Sequence, residues 1–245
     1  MDLNADGYQD ILSGSYSSYT AEQMAGHFQV LFGDKDGKFT TAEELKGTNG
    51  KVLEIQSHGE QPDIGRICTR PTAVDWDSDG DLDLIVGNFE GSFYFFEGLG
   101  KGKFSPESQL ILCEGKPLKI EGIHSDPFCV DFDGDGDVDL LSGSSEGGVQ
   151  WAENVAKKGE SVKLRAFTEL VPAVKSPYVA TWWDEEVKVS GSTRVWADDL
   201  NGDGKVDILL GDCYRIKKPV GKLTKEEVVE IDDEWMEEFG KAYKY

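Results

Sequence analysis

Short apolar runs recur along this chain in register, separated by clusters of Asp, Asn and Gly. Thr72-Ala73-Val74, Phe128-Cys129-Val130 and Arg194-Val195-Trp196 precede acidic segments. Leu84-Ile85-Val86-Gly87, Leu140-Leu141-Ser142-Gly143 and Ile208-Leu209-Leu210-Gly211 follow them. Aliphatic and aromatic runs of this length bounded by glycine predict strands, not helices. After the second acidic segment come Ser92 to Glu97, a turn from Gly98 to Gly102, Phe104, Gln109 to Leu112 and Lys116 to Ile120. The first repeat offers His27 to Phe32, a turn from Gly33 to Gly37, Phe39 and Lys51 to Ile55. The third offers Gly148 to Glu153, Phe167 to Val171 and Val187 to Val189. Each unit is predicted to hold four short strands, and a repeat at this scale decides the architecture.

The acidic segments share one form. They span Asp2 to Asp10, Asp75 to Asp83, Asp131 to Asp139 and Asp199 to Asp207, and each reads D-x-D/N-x-D-G-x-x-D before two aliphatic residues. Oxygen-bearing side chains at the first, third, fifth and ninth positions, with a main-chain carbonyl at the seventh, suit a hard cation that takes roughly six to eight oxygens; calcium is the natural choice. The glycine at the sixth position lets the chain turn sharply, because it tolerates positive φ without a Cβ clash. An EF-hand loop begins alike but closes with a bidentate Glu at its twelfth position. Here that place holds Ser13, Val86, Ser142 and Leu210. One such cluster alone would read as a solvated turn, since Asp, Asn and Gly dominate turns for conformational reasons. Four copies in register point to calcium.

The segments start at residues 2, 75, 131 and 199, spaced by 73, 56 and 68 residues, which fits four-stranded propeller blades with loop insertions. On these loops, on the glycine-ended second strands and on the turn Gly100-Lys101-Gly102-Lys103-Phe104, residues 1 to 216 resemble the FG-GAP or VCBS-type β-propeller repeats. The resemblance implies an all-β fold, a β-propeller of four-stranded antiparallel blades, in which each calcium loop joins the first two strands of a blade. The cation ligands it implies are Asp2, Asn4, Asp6 and Asp10; Asp75, Asp77, Asp79 and Asp83; Asp131, Asp133, Asp135 and Asp139; and Asp199, Asn201, Asp203 and Asp207. About four structural Ca2+ ions are expected. Asp81, Asp137 and Lys205 fill the seventh position, where the main-chain carbonyl serves. The first repeat starts inside its loop and the fourth supplies two strands, so about three and a half blades are present. Propellers typically need 4 to 8. The expectation is a piece of a longer chain, the rival being a ring completed by another polypeptide.

Residues 217–245 change character. Thr224-Lys225-Glu226-Glu227 is a capping box, and Val228, Ile231, Trp235 and Phe239 recur at helical spacing, predicting an amphipathic helix from about Lys225 to Ala242. Its expected role is packing on the blades; the alternative is a partner-binding helix.

Charge narrows the partners. The chain of 245 residues carries 47 acidic against 25 basic side chains, a net charge of −22. Binding phosphate backbones needs clustered Lys and Arg, and no basic run occurs, so nucleic acid and anionic membrane are excluded as expected partners. No stretch approaches the roughly 20 apolar residues of a membrane span, and the first residues lack the pattern of a signal peptide. Cys68, Cys113, Cys129 and Cys213 allow three disulfide pairings or none, and none forms a metal knuckle. The reading adopted is free thiols, with Cys129 packed as a small hydrophobe.

No catalytic set emerges. His27, His58 and His124 are scattered, and no HExxH, G-x-S-x-G or P-loop occurs. His124-Ser125-Asp126 holds triad residue types, but neighbours along a chain seldom point together. Arg66, Arg70, His124, Asp126 and Arg194 precede the innermost strands and are expected to gather at one mouth as a ligand-binding face. Trp151, Trp196 and the pair Trp182-Trp183 are read as packing residues before sugar platforms. The expected function is a calcium-stabilised propeller that binds a protein or glycan outside the cytoplasm. The rival is a carbohydrate-active hydrolase or lyase at the channel mouth, which would need a pair of pocket carboxylates from candidates such as Glu121, Asp126 and Asp184.

Overall fold

The computed structural model describes residues 1–19, 24–57, 62–157, 160–173, 179–181, 191–213, 215–217, 223–224, 226–228, 230–231 and 233–235. Their regular structure is mostly antiparallel sheet. The first sheet joins β1 (Ile11–Gly14), β4 (Phe28–Leu31) and β5 (Glu43–Glu44), with a small hairpin of β2 (Ser18–Tyr19) and β3 (Met24–Ala25) between β1 and β4. A single helical turn, α1 (Pro62–Gly65), leads to the second sheet. That sheet runs β6 (Arg70–Val74), β7 (Asp83–Gly87), β8 (Phe93–Phe96) and β9 (Gln109–Leu110) in order, followed by the pair β10 (Leu112–Cys113) and β11 (Lys116–Pro117). The third repeats it with β12 (Asp126–Val130), β13 (Asp139–Gly143), β14 (Val149–Ala152) and β15 (Thr168–Val171). The fourth holds β17 (Arg194–Asp198) and β18 (Asp207–Gly211), while β16 (Val179–Thr181) pairs in parallel with β19 (Arg215–Lys217).

The sheets stack face to face and fan out from a common inner edge, where β6 lies against β12 and β12 against β17. Hydrophobic positions explain the stacking. In β7 every residue is buried, because Leu84 and Val86 join a core shared with Phe28, Val30 and Phe96, while Ile85 joins one shared with Leu140 and Ala152. A third core unites Leu141 and Val149 with Val195 and Ala197. Strands buried on both faces lose the polar alternation of a one-sided sheet. The end sheets keep an exposed face: Ile11 in β1, and Trp196 and Leu209 in the fourth sheet, all stand in solvent. Trp196 leans on Phe128 with ring centroids 5.3 Å apart.

Adjacent sheets are held by a repeated clasp. The glycine that ends each second strand admits the backbone of the next sheet: a Cβ on Gly14 would lie 2.0 Å from the Thr69 carbonyl oxygen, on Gly87 2.2 Å from that of Ser125, and on Gly143 2.1 Å from that of Thr193. The buried hydroxyls of those three residues then bind the preceding sheet. Thr69 Oγ1 donates to the Ser15 carbonyl at 3.1 Å, Ser125 Oγ to that of Ser92 at 2.7 Å, and Thr193 Oγ1 to that of Gly148 at 2.7 Å. Each is preceded by a non-glycine residue at positive φ, namely Cys68 (58°), His124 (62°) and Ser192 (52°). Such backbone is sparsely populated and persists where surrounding contacts fix it.

The chain is mostly β-sheet, and among the described residues no strand pairing joins the first sheet to the fourth. Lys51 to Ile55 is not the outer strand of the first sheet that its pattern predicts. Glu43–Glu44 takes that place, because Leu53 and Ile55, each 1% exposed, turn into the core and Val52 makes a lone bridge with Lys46. Val187 to Val189 lies outside the described residues. So do His58, Trp182, Trp183 and Asp184. The capping box is formed, with Glu227 N–H donating to Thr224 Oγ1 at 3.3 Å and Thr224 N–H to Glu227 Oε2 at 2.8 Å, and residues 226–228, 230–231 and 233–235 are helical. Ile231 and Trp235 on the apolar face of this helix are exposed. All four cysteines are free thiols. No helix among the described residues is long and apolar enough to cross a membrane.

Candidate functional site

The four acidic loops share one backbone. The fourth position has positive φ in each (Ala5 58°, Ser78 64°, Gly134 79°, Gly202 77°), and so does the sixth (Gly7 93°, Gly80 99°, Gly136 99°, Gly204 83°). The first aspartate organises the turn by accepting main-chain N–H groups: Gly7 to Asp2 at 2.8 Å, Gly80 to Asp75 at 3.2 Å, Gly136 to Asp131 at 3.0 Å and Gly204 to Asp199 at 2.8 Å. In the second and third loops the side-chain oxygens converge. Oxygens of Asp75, Asp77 and Asp83 lie within 4.8 Å of one another, as do those of Asp131, Asp133 and Asp135.

The ninth-position aspartates have a second role. Asp83 accepts N–H groups from Trp76 at 2.9 Å and Gly98 at 2.6 Å, so it ties the start of its loop to the end of β8. Asp10 does the same between Leu3 and Gly33, and Asp139 between Phe132 and Asn154. All three are buried. Asp207 receives Leu200 N–H at 3.2 Å and is only partly buried.

Crowding of carboxylates is unfavourable without a cation. Burial, reinforced by Asp77 and Asp79, pushes Asp83 up to about 6 despite its two N–H donors. Burial and then four neighbouring aspartates push Asp137 up to about 6 as well. Asp75 Oδ1 and Asp137 Oδ1 are buried acceptors without a hydrogen-bond partner. Oxygen-only donors, clustered negative charge and orphaned buried oxygens fit a hard divalent ion. Asp137 lay outside the ligand set read from the sequence, because its position is served by a carbonyl in the repeat pattern.

At the other end of the first strands lies a cavity of about 380 Å³, lined by Leu12 to Tyr16, Cys68 to Pro71, Asp126 and Arg194. Arg70, Asp126 and Arg194 open three successive sheets and meet there. Arg194 Nη1 donates to Asp126 Oδ1 at 2.7 Å, Arg70 Nε lies 3.8 Å from the same oxygen, and Arg70 Nη1 donates to the His124 carbonyl at 3.2 Å. Burial raises Asp126 above the usual carboxylate range, against the pull of both guanidiniums. Burial likewise raises the Cys68 thiol and, with Arg70 and Arg194, lowers His124. Arg66 and His124 are not part of the cavity wall; the His124 ring packs on Phe89 with centroids 4.5 Å apart. His124, Ser125 and Asp126 point apart, and Ser125 Oγ is spent on the clasp. The cavity holds one carboxylate, Asp126, among the described residues, and Glu121 is exposed elsewhere.

Residues 131–210, from the third loop through β18, match the family model of the FG-GAP-like repeat. No curated protein matches the chain. With sheets of this order, the match points to a β-propeller-type binding module.

Proposed function

We propose that this chain is a calcium-stabilised β-propeller module that binds a protein or glycan ligand outside the cytoplasm, with no turnover of its own. In this reading the stacked sheets are blades of a ring that further blades, from a longer chain or another polypeptide, would close. The ligands read from the sequence would hold the ions, the ninth-position aspartates serving both ion and loop. A bound calcium would neutralise the crowded carboxylates and fix the turns between first and second strands. It would do no chemistry, because loop oxygens that fill the coordination sphere leave little room to activate water. Extracellular calcium modules work at Kd of about 10⁻⁴ to 10⁻³ M, which places such sites where calcium is abundant.

The observation that carries the binding role is the convergence of Arg70, Asp126 and Arg194 from three sheets on one cavity. Two guanidiniums against one carboxylate make a local positive site on a chain of −22. Guanidinium forks pair bidentately with carboxylates, and repulsion from the acidic body is screened beyond roughly 8 to 10 Å at physiological salt. The test is a glycan and peptide binding screen at fixed calcium. Arg194, whose side chain is 56% exposed, is replaced by Ala without opening a core. Anionic ligands are expected to bind the native chain and to lose about tenfold in affinity with Arg194→Ala. Equal affinities would discard this face, and release of product from a screened polysaccharide would overturn the non-enzymatic reading.

A further inference from the structure

His27 is buried just before β4 and belongs neither to the acidic loops nor to the cavity wall. Its side chain is 6% exposed, and each ring nitrogen faces a carboxylate: Nδ1 lies 2.9 Å from Glu44 Oε1, and Nε2 lies 3.1 Å from Glu54 Oε1. Both are hydrogen-bond distances. A neutral imidazole has one N–H, so it donates to one carboxylate and turns a lone pair on the other, whereas the imidazolium donates to both. The trio therefore closes only when it holds one proton more than a neutral ring and two carboxylates carry.

What the trio joins is otherwise thinly held. Glu44 belongs to β5, which pairs with β4 through Gln29 opposite Glu44 and Val30 opposite Glu43. Glu54 stands in a segment that meets Lys46 through a lone bridge at Val52, and meets Leu45 through Leu53 N–H at 3.0 Å. The ring is where β4, β5 and residues 51–55 come together. Its main chain is part of the first clasp, since His27 N–H donates to Ser15 Oγ at 2.9 Å and its carbonyl accepts from Thr69 Oγ1 at 3.3 Å. Among the described residues, the titratable groups facing the ring are Glu44 from β5 and Glu54 from the crossing segment. β1 and the second sheet bring the hydroxyls of Ser15 and Thr69. The chain between them brings Arg66, a fixed cation, whose carbonyl accepts Gly26 N–H at 2.8 Å. Histidine is the side chain that ordinarily changes charge between about pH 5 and pH 8.

We propose that His27, Glu44 and Glu54 form a proton-operated latch on the outer part of the first sheet. With the extra proton the ring ties β5 and residues 51–55 to β4. Without it the ring keeps one carboxylate and releases the other, and this edge opens locally while the sheets stay folded. The latch is closed in mild acid and loosens as pH rises. It stands independently of the ion sites and of the ligand face.

The test is native-state amide exchange of the isotopically labelled full chain at fixed calcium, followed by NMR. Leu45 N–H donates to the Phe28 carbonyl at 2.9 Å and Leu53 N–H to that of Leu45, so these two amides report the edge. Between about pH 5 and about pH 8, their protection, corrected for intrinsic exchange, is expected to fall about fivefold, the scale of one partly exposed ion pair. The amides of β7 in the second sheet are expected to keep theirs. Glu54→Gln offers an N–H to the second ring nitrogen, so the trio closes around a neutral ring and protection at Leu45 and Leu53 should no longer change with pH. Glu44→Gln should act alike. Both side chains are partly exposed, 45% for Glu44 and 33% for Glu54, so neither change opens a core. Equal protection of the two amides at both pH values in the native chain, a loss shared by β7, or a pH dependence that both variants retain would overturn the latch.

Discussion

Replacing Asp83 with Ala is expected to cost about 2 to 6 kcal/mol of folding stability even in the presence of chelator. Its two oxygens accept the N–H groups of Trp76 and Gly98 in an interior where Asp83 has no exposure. Removing the carboxylate orphans two buried donors, each worth about 1 to 3 kcal/mol when left unmade. Chelator separates this clamp from any ion. Asp207 occupies the same place in the fourth loop but is partly exposed and accepts one of the two main-chain N–H groups, that of Leu200. Asp207→Ala should therefore cost less than about half as much. Urea unfolding of both variants decides the point, and equal losses would refute the clamp.

A single methyl group should separate two glycines that look alike. A Cβ at Gly87 would lie 2.2 Å from the Ser125 carbonyl oxygen and 2.8 Å from Pro127 Cδ, and neither atom is the free end of a flexible chain. Overpacking of this kind typically costs about 1 to 3 kcal/mol, and more where backbone must move; Gly87→Ala is expected at or above the top of that range. Gly211 ends β18 in the equivalent place, yet its Cβ would meet only Arg194 Cβ at 3.8 Å, an ordinary contact. Gly211→Ala should stay within about 0.5 kcal/mol. Thermal unfolding of the pair measures whether close approach of the next sheet, and not the turn itself, demands glycine. A large loss at both positions would contradict that cause.

Much of this architecture was legible because the repeat is written in the loops. Asp and Gly at fixed offsets mark each turn, and the aliphatic runs on either side became β6 and β7, β12 and β13, and β17 and β18. The clasp was not recognised, although its signal was present: Thr69, Ser125 and Thr193 each stand six residues before a loop's first aspartate. A lone hydroxyl carries no hydrophobic period, so a search for apolar runs passes over it. Lys51 to Ile55 misled for the opposite reason. Val52, Leu53 and Ile55 look like strand residues, but burial of Leu53 and Ile55 between sheets gives them the same apolar signature without a ladder. Convergence at the cavity was legible only in part. Arg70, Asp126 and Arg194 open equivalent strands and so meet, whereas Arg66 and His124 lie in the connections before those strands, where no period fixes the direction of a side chain.

Calcium dependence of stability tests the assignment most directly. A ligand bound only by the folded state adds RT ln(1 + [L]/Kd), about 1.4 kcal/mol per site when free calcium is ten times Kd. Filled loops would together raise the melting temperature by well over about 5 °C in a domain of this size. The measurement is differential scanning calorimetry of the chain in excess calcium and in excess chelator at matched ionic strength, with magnesium as the control cation. A large upward shift specific to calcium is expected. Equal melting temperatures in calcium and chelator would contradict the assignment of the four loops as ion sites.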